Sequence, residues 1–349
     1  MKKSFVFAAA TAAMLLTGAV HAQELPKTHV KVVGGLSNLS PYNDYEKPFW
    51  TKTIPELSKG RVTADIKGFN EMGLKGPELL RLMSQGVIEF GTATLSYFAT
   101  DNPINEAVDL AGLAPDAKTA REIVDTFEPV YAKHYGQGSN IKLLGISTYP
   151  AQVLFCNAEI KGLADIKGKK VRISSRTQAD FVEALGGASV TMAFGEVVPA
   201  LQNKVVDCAI TGTLSGYAAK WYEVSTHLVA LPINWNPQIH AVNQKAWDKL
   251  DPKVRTLLDT NIDKMVDDIW DAAAKQTQEG YDCNTGAAAC PNPVKGKMVL
   301  VQTSDADRQL LKKVLQESVV PKWAARCSAA CVQSFNDTIG KKLGITAKK

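Results

Sequence analysis

Arg172 is the side chain best placed to do chemistry. It lies in the short run Lys170–Ser174, within the stretch 162–228, facing the end of what should be a strand. Arginine suits a carboxylate because its planar fork makes two parallel charge-assisted bonds, where lysine offers a point charge. Ligands of open α/β sheets settle beyond the carboxyl ends of the strands. An arginine there is placed to hold a small anion. The competing reading is a surface or structurally paired cation, and the adjacent Lys161, Lys167, Lys169 and Lys170 read as a solvated basic face.

Further pocket residues follow from where other strands should end. Phe69 and Asn70 come after Val62–Gly68, and Tyr97 after Ile88–Thr94. Phe194 comes after Ser189–Met192, Trp235 after Leu231–Ile233, and Thr211 and Gly212 after Val205–Ile210. Aromatic rings would flank an organic body, and Asn70, Thr211 and Gly212 would offer hydrogen bonds. Of the tryptophans, Trp235 is the first pocket candidate, whereas Trp50, Trp221 and Trp247 read as packing residues.

Other chemistries lack their residues. The histidines His21, His29, His134, His227 and His240 are scattered, with no H-x3-H or H-E-x-x-H spacing. Gly212–Gly216 puts its serine one place late for a nucleophile elbow. Gly162–Lys169 has five residues between its glycines, and Lys170 stands where a P-loop needs Ser or Thr. No metal, cofactor or catalytic group is expected, and the chain does not read as an enzyme.

Four of the six cysteines fall into local pairs. Cys283 and Cys290 flank a glycine-containing turn, and Cys327 and Cys331 lie four apart in a short helical stretch. In an oxidising compartment these read as two disulfides; a zinc site would need a less usual ligand spacing. Cys156 and Cys208, both in strand-like runs, either form a third bridge or lie buried as thiols.

The elements that must position these residues alternate. Strand-like runs at Val30–Val33, Val62–Ile66 and Ile88–Thr92 surround a helical pattern at Pro77–Gln85. The rhythm restarts with Val153–Cys156, Lys170–Ile173, Ser189–Met192 and Val205–Ile210, separated by helices at Gln178–Leu185 and Gly195–Gln202. Such alternation argues for an α/β architecture with largely parallel sheets. From Pro252 to Tyr281 apolar residues recur at helical spacing after an Asp251 start signal. A helix of that length would run about 45 Å; it either braces two lobes or packs on one.

Met1–Ala22 reads as an export signal: Lys2 and Lys3, an apolar run from Phe5 to Leu16, and Val20-His21-Ala22 before a cut at Gln23. Losing two of the 40 basic residues leaves 38 against 35 acidic, close to neutral and without a footprint for nucleic acid. With 45% hydrophobic residues the chain can fill substantial cores, and its length favours two domains.

The ordered series Asp165–Arg172, Leu185-Gly186-Gly187, Glu196–Gln202 and Val205-Val206-Asp207 resembles the diagnostic run of TRAP transporter periplasmic solute-binding proteins. Trp221–Val224 and Val242–Leu250 fit the same pattern. The resemblance implies a two-lobed periplasmic binding protein fold with crossing strands and a long bridging helix. It implies hinge closure over an organic acid, with Arg172 as the carboxylate-binding arginine, and delivery to membrane permease subunits. Expected lobe I is 23–148 plus 238–272; lobe II is 149–237 plus 273–349 with a disulfide-bearing extension. The receptor is expected to act in the periplasm as a monomer.

Two departures bear on the ligand. Thr211 replaces the family's common asparagine, and Ser147–Gln152 lacks a second arginine often found in that region. With one cation, a second buried carboxylate would be poorly paired. A monocarboxylate, aromatic or 2-oxo, is therefore expected over a C4-dicarboxylate. The remaining rivals are a secreted enzyme acting on an organic acid and a receptor that reports to a sensor.

Overall fold

The computed structural model describes residues 24–349; the expected leader Met1–Ala22 and the expected cut at Gln23 lie outside them. The first sheet contains β1 (Thr28–Gly34), β2 (Val62–Gly68), β3 (Phe90–Thr94) and β4 (Ile141–Ser147). The second contains β5 (Gln152–Cys156), β6 (Lys170–Ile173), β7 (Ala188–Thr191), β8 (Cys208–Gly212) and β9 (His227–Val229). The chain then returns to the first sheet as β10 (Gln238–Asn243), and β11 (Val299–Val301) completes the second.

The strand orders are β2-β1-β3-β10-β4 and β11-β9-β5-β8-β6-β7. Strands flanking a crossover helix run parallel, as β1 with β2 and β6 with both β7 and β8. The strands by which the chain changes sheet run antiparallel: β10 against β3 and β4, and β5 against β8 and β9. The architecture is therefore two α/β lobes joined by crossing strands.

A 34-residue helix, Pro252–Thr285, spans both lobes. The Asp251 side chain accepts from the Lys253 amide at its start, and Gly286 ends it at φ 81°. Val254, Leu258, Ile262, Met265 and Ile269 pack with Val30, Val32 and Phe90 of the first sheet. Burying each such side chain is worth about 1.5–3 kcal/mol. Farther along, Gly280 lies so close to Thr213 and Leu214 in the second lobe that a Cβ would collide with their backbone. The helix braces two lobes, and the single-lobe alternative falls away.

Two sequence expectations shift. β8 begins at Cys208; Val205 is exposed in the turn before it. Leu231–Ile233 is not a strand but part of the crossing segment, which touches β5 at one isolated bridge, Gln152 to Asn234. All three cysteine pairs are bridged: Cys156–Cys208, Cys283–Cys290 and Cys327–Cys331. Register puts Cys156 directly opposite Cys208 on β5 and β8, which settles the pair left open by spacing.

Candidate ligand-binding site

Arg172 sits on β6 between two neighbours, opposite Val190 of β7 and Ala209 of β8. Its side chain is tied to both flanks. Nε donates to the Met192 carbonyl at 3.1 Å and Nη1 to the Ile210 carbonyl at 2.8 Å. The guanidinium carbon stands 6.0 Å from the centre of the Trp221 ring, within cation–π range. Trp221 in turn stacks on Phe194 at 5.6 Å. Only 2% of Arg172 is exposed, and no carboxylate of the described residues forms an ion pair with it. Burial pulls its pKa down to about 10, while Tyr97 and Glu196 favour the charged form. Arg172 is thus a buried cation with no carboxylate paired to it among the described residues.

A narrow cavity of about 20 Å³ opens at this guanidinium. Arg172, Ser174, Phe194, Thr211 and Ser215 line it from the second lobe, with Gln152 at the start of β5. Leu36, Leu39 and Tyr97 line it from the first lobe, and Tyr149 and Asn236 from the crossing segments. Arg172 is the single formally charged residue among them. Tyr97 follows β3 and packs edge-on against Phe69, 6.5 Å between ring centres. On its other side the bare α-carbon of Gly76, at φ 111°, leaves room that a Cβ would fill. Burial raises the Tyr97 pKa, and Arg172 and a hydrogen bond with Thr94 partly oppose that. The tyrosine therefore stays a neutral donor at pH 7.

The sequence-derived residues divide accordingly. Arg172, Thr211, Tyr97 and Phe194 line the cavity. Phe69 stands behind Tyr97 as its packing partner. Gly212 lies at the rim, where a side chain would meet Ser215 Oγ at 2.7 Å and Gln152 Nε2 at 3.1 Å. Asn70 is exposed, its Oδ1 accepting from the Ser37 amide at 3.0 Å and its Nδ2 donating to Ser37 Oγ at 3.1 Å. Trp235 is buried elsewhere; its indole donates to the Ala114 carbonyl at 3.1 Å and its amide to Asp109 Oδ1 at 2.8 Å. Trp221, read as a packing residue, is fully buried in the core against Phe155 and Phe194 and also backs the guanidinium.

Sequence reasoning missed Gln152, Ser174, Ser215, Asn236 and Tyr149. A signal existed for Asn236: asparagine tolerates the left-handed conformation it adopts, φ 55°. Among the described residues no group of three or more His, Cys, Asp or Glu could hold a metal ion. The arrangement can hold one carboxylate and several neutral polar groups between two lobes.

Residues 32–324 match the family model described as bacterial extracellular solute-binding protein, family 7. The sialic acid-binding periplasmic protein SiaP of Vibrio cholerae is 24% identical over 62% of this chain and 67% of its own length. A Bordetella pertussis extracytoplasmic solute receptor binding pyroglutamic acid superposes with a TM-score of 0.80 at 21% identity, covering 90% of this chain and 99% of that one. A TRAP periplasmic solute binding protein from Desulfovibrio salexigens, with bound orotic acid, gives 0.79 at 18% identity over 90% and 99%. No described helix is long and apolar enough to cross a membrane.

Proposed function

Because the chain belongs to bacterial extracellular solute-binding protein family 7, the periplasmic receptors of TRAP transporters, we propose that it captures a small organic monocarboxylate and delivers it to membrane permease subunits. The observation that carries this reading is Arg172, the lone charge lining the cavity. A second carboxylate there would be left without a cation, and an unpaired buried charge is expensive. Pyroglutamic and orotic acids, bound by two of the structural relatives, are compact acids of this class.

The mechanism follows from the two-sided wall. An open form admits the acid, its carboxylate takes the free face of the Arg172 guanidinium, and Tyr97 closes from the first lobe with Asn236 of the crossing segment. Closure excludes water and so strengthens the ion pair. The receptor would act in the periplasm after loss of Met1–Ala22.

A thermal-shift screen of unfolded-and-refolded protein tests this, since refolding removes any retained ligand. Ligand at 100 times its Kd stabilises by about 2.7 kcal/mol, enough to move the melting point by several degrees. Aromatic, oxo or lactam monoacids should give that shift. Arg172→Ala should lower affinity about a hundredfold or more while circular dichroism stays unchanged. Shifts by succinate-like diacids alone would overturn the monoacid assignment, and an Arg172→Ala variant of unaltered affinity would overturn the site.

A further inference from the structure

One ion pair joins the two lobes just outside the cavity. Lys75 Nζ lies 3.1 Å from Glu196 Oε1. Lys75 precedes Gly76, the residue packed on the Tyr97 ring. Glu196 ends the turn that begins at Phe194, and its other oxygen accepts from the Ala193 amide at 3.1 Å. Tyr97 and Phe194 both face the cavity. The pair therefore ties the segment packed against the Tyr97 ring to the turn that carries Phe194.

Both side chains are more than half exposed, 69% for Lys75 and 52% for Glu196. Such a pair adds little to stability; its interest is its position. Glu196 sits close enough to favour the charged form of Arg172. Its own carboxyl is held below the usual range by the Lys75 hydrogen bond first, then by the Ala193 amide. Glu196 is thus a fixed anion beside the site, and Lys75 holds it across the gap.

We propose that the Lys75–Glu196 pair is a charge gate that makes this site selective for monoacids. The inference rests on the reading that Arg172 holds the ligand carboxylate. A second anionic group of an acid anchored there that reaches the mouth of the cavity would meet Glu196, which repels it, or would have to displace Glu196 from Lys75. A neutral tail meets neither penalty. Like-charge juxtaposition is the usual physical means of refusing a wrong partner.

Three variants separate charge from bridging: Lys75→Met, which breaks the bridge and keeps the anion; Glu196→Gln, which loses both; and the exchange Lys75→Glu with Glu196→Lys, which keeps a bridge and reverses the charge beside Arg172. Affinities for pyroglutamate, 2-oxoisovalerate, succinate and glutarate would be measured by calorimetry, and melting points would verify folding. Glu196→Gln should narrow the monoacid-to-diacid preference about tenfold, through tighter diacid binding. The exchanged pair should narrow it further. Lys75→Met should leave the preference standing while monoacid release speeds about threefold. An unaltered preference in Glu196→Gln and in the exchanged pair overturns the gate alone. Failure of the wild-type chain to bind any of the four probes overturns the carboxylate site, and the gate with it.

Discussion

Arg172 is oriented before any ligand arrives. Its Nε and Nη1 are committed to the Met192 and Ile210 carbonyls, so little side-chain freedom would be lost on binding an acid at the remaining face, as proposed above. Glu46 is the opposite case, a buried carboxyl in the first lobe with a poor set of partners. Its Oε2 accepts from the Gly35 amide at 3.1 Å, and Oε1 has no hydrogen bond. Burial pushes its pKa from 4.5 up to about 7. Folding therefore favours its protonated form, and the stability this gives, full below about 4.5, is lost as pH rises through about 7. Glu46→Gln should gain on the wild type with rising pH, by up to roughly 3 kcal/mol at pH 8. His240 works in the other direction, since burial lowers its pKa from 6.5 to about 4. Comparing melting points of variant and wild type at pH 5 and pH 8 cancels that contribution; a constant gap between them would refute the assignment. At this scale the sequence discloses residue chemistry better than neighbours. Arg172 and Thr211 are readable because they stand on strands whose alternation is strong. Ser174 and Asn236 lie in connecting segments and Ser215 in a six-residue helix too short to show a period, so no periodicity says which way these side chains face. Trp235 misleads for a related reason: a large ring after an apolar run satisfies the buried crossing segment as well as it would a pocket.

Elements with clean periodicity are legible almost to the residue. Lys170–Ile173 is β6 with the expected bounds, and the helix expected at 252–281 runs from Pro252 to Thr285. The Ala117–Gly136 helix is not apparent from sequence. Pro129 stands inside it, and its buried face is built from Ala120, Ile123, Val124, Phe127, Tyr131 and Tyr135 among many charges. Contacts between elements are less legible still. Nothing in the sequence says that Gly280 is where the long helix meets the Thr213–Ala218 helix, whose Ser215 lines the cavity. Gly280→Ala should force these helices apart, costing about 1–3 kcal/mol and weakening ligand binding. Urea unfolding and a ligand titration would check both effects, and wild-type values in the two experiments would refute the contact's role.

At the scale of the whole molecule, Asp109, which no sequence signal singled out, ties distant segments together. Its carboxylate accepts from Asn234 Nδ2 at 2.7 Å, the Trp235 amide at 2.8 Å and the Asn236 amide at 3.0 Å. Its carbonyl accepts from Thr177 Oγ1 at 3.2 Å, in the helix that follows β6. One residue thus links a first-lobe loop, the crossing segment and the second lobe. Asp109→Asn replaces an acceptor oxygen with a donor facing N–H groups and should cost about 2–4 kcal/mol. Denaturant unfolding would measure the loss; a variant as stable as the wild type would show that the node is dispensable. The placement of β10 has a further consequence, for synthesis. The strand lies between β3 and β4, yet it follows them by more than ninety residues in register, His240 opposite Thr92 and Gly145. As the chain emerges from its N-terminus, β3 and β4 must wait with unpaired edges until the second lobe has passed. Neither lobe is then a separable module. A chain cut short before residue 238 would present two open strand edges to its neighbours, the kind of surface on which unfinished proteins stick to one another.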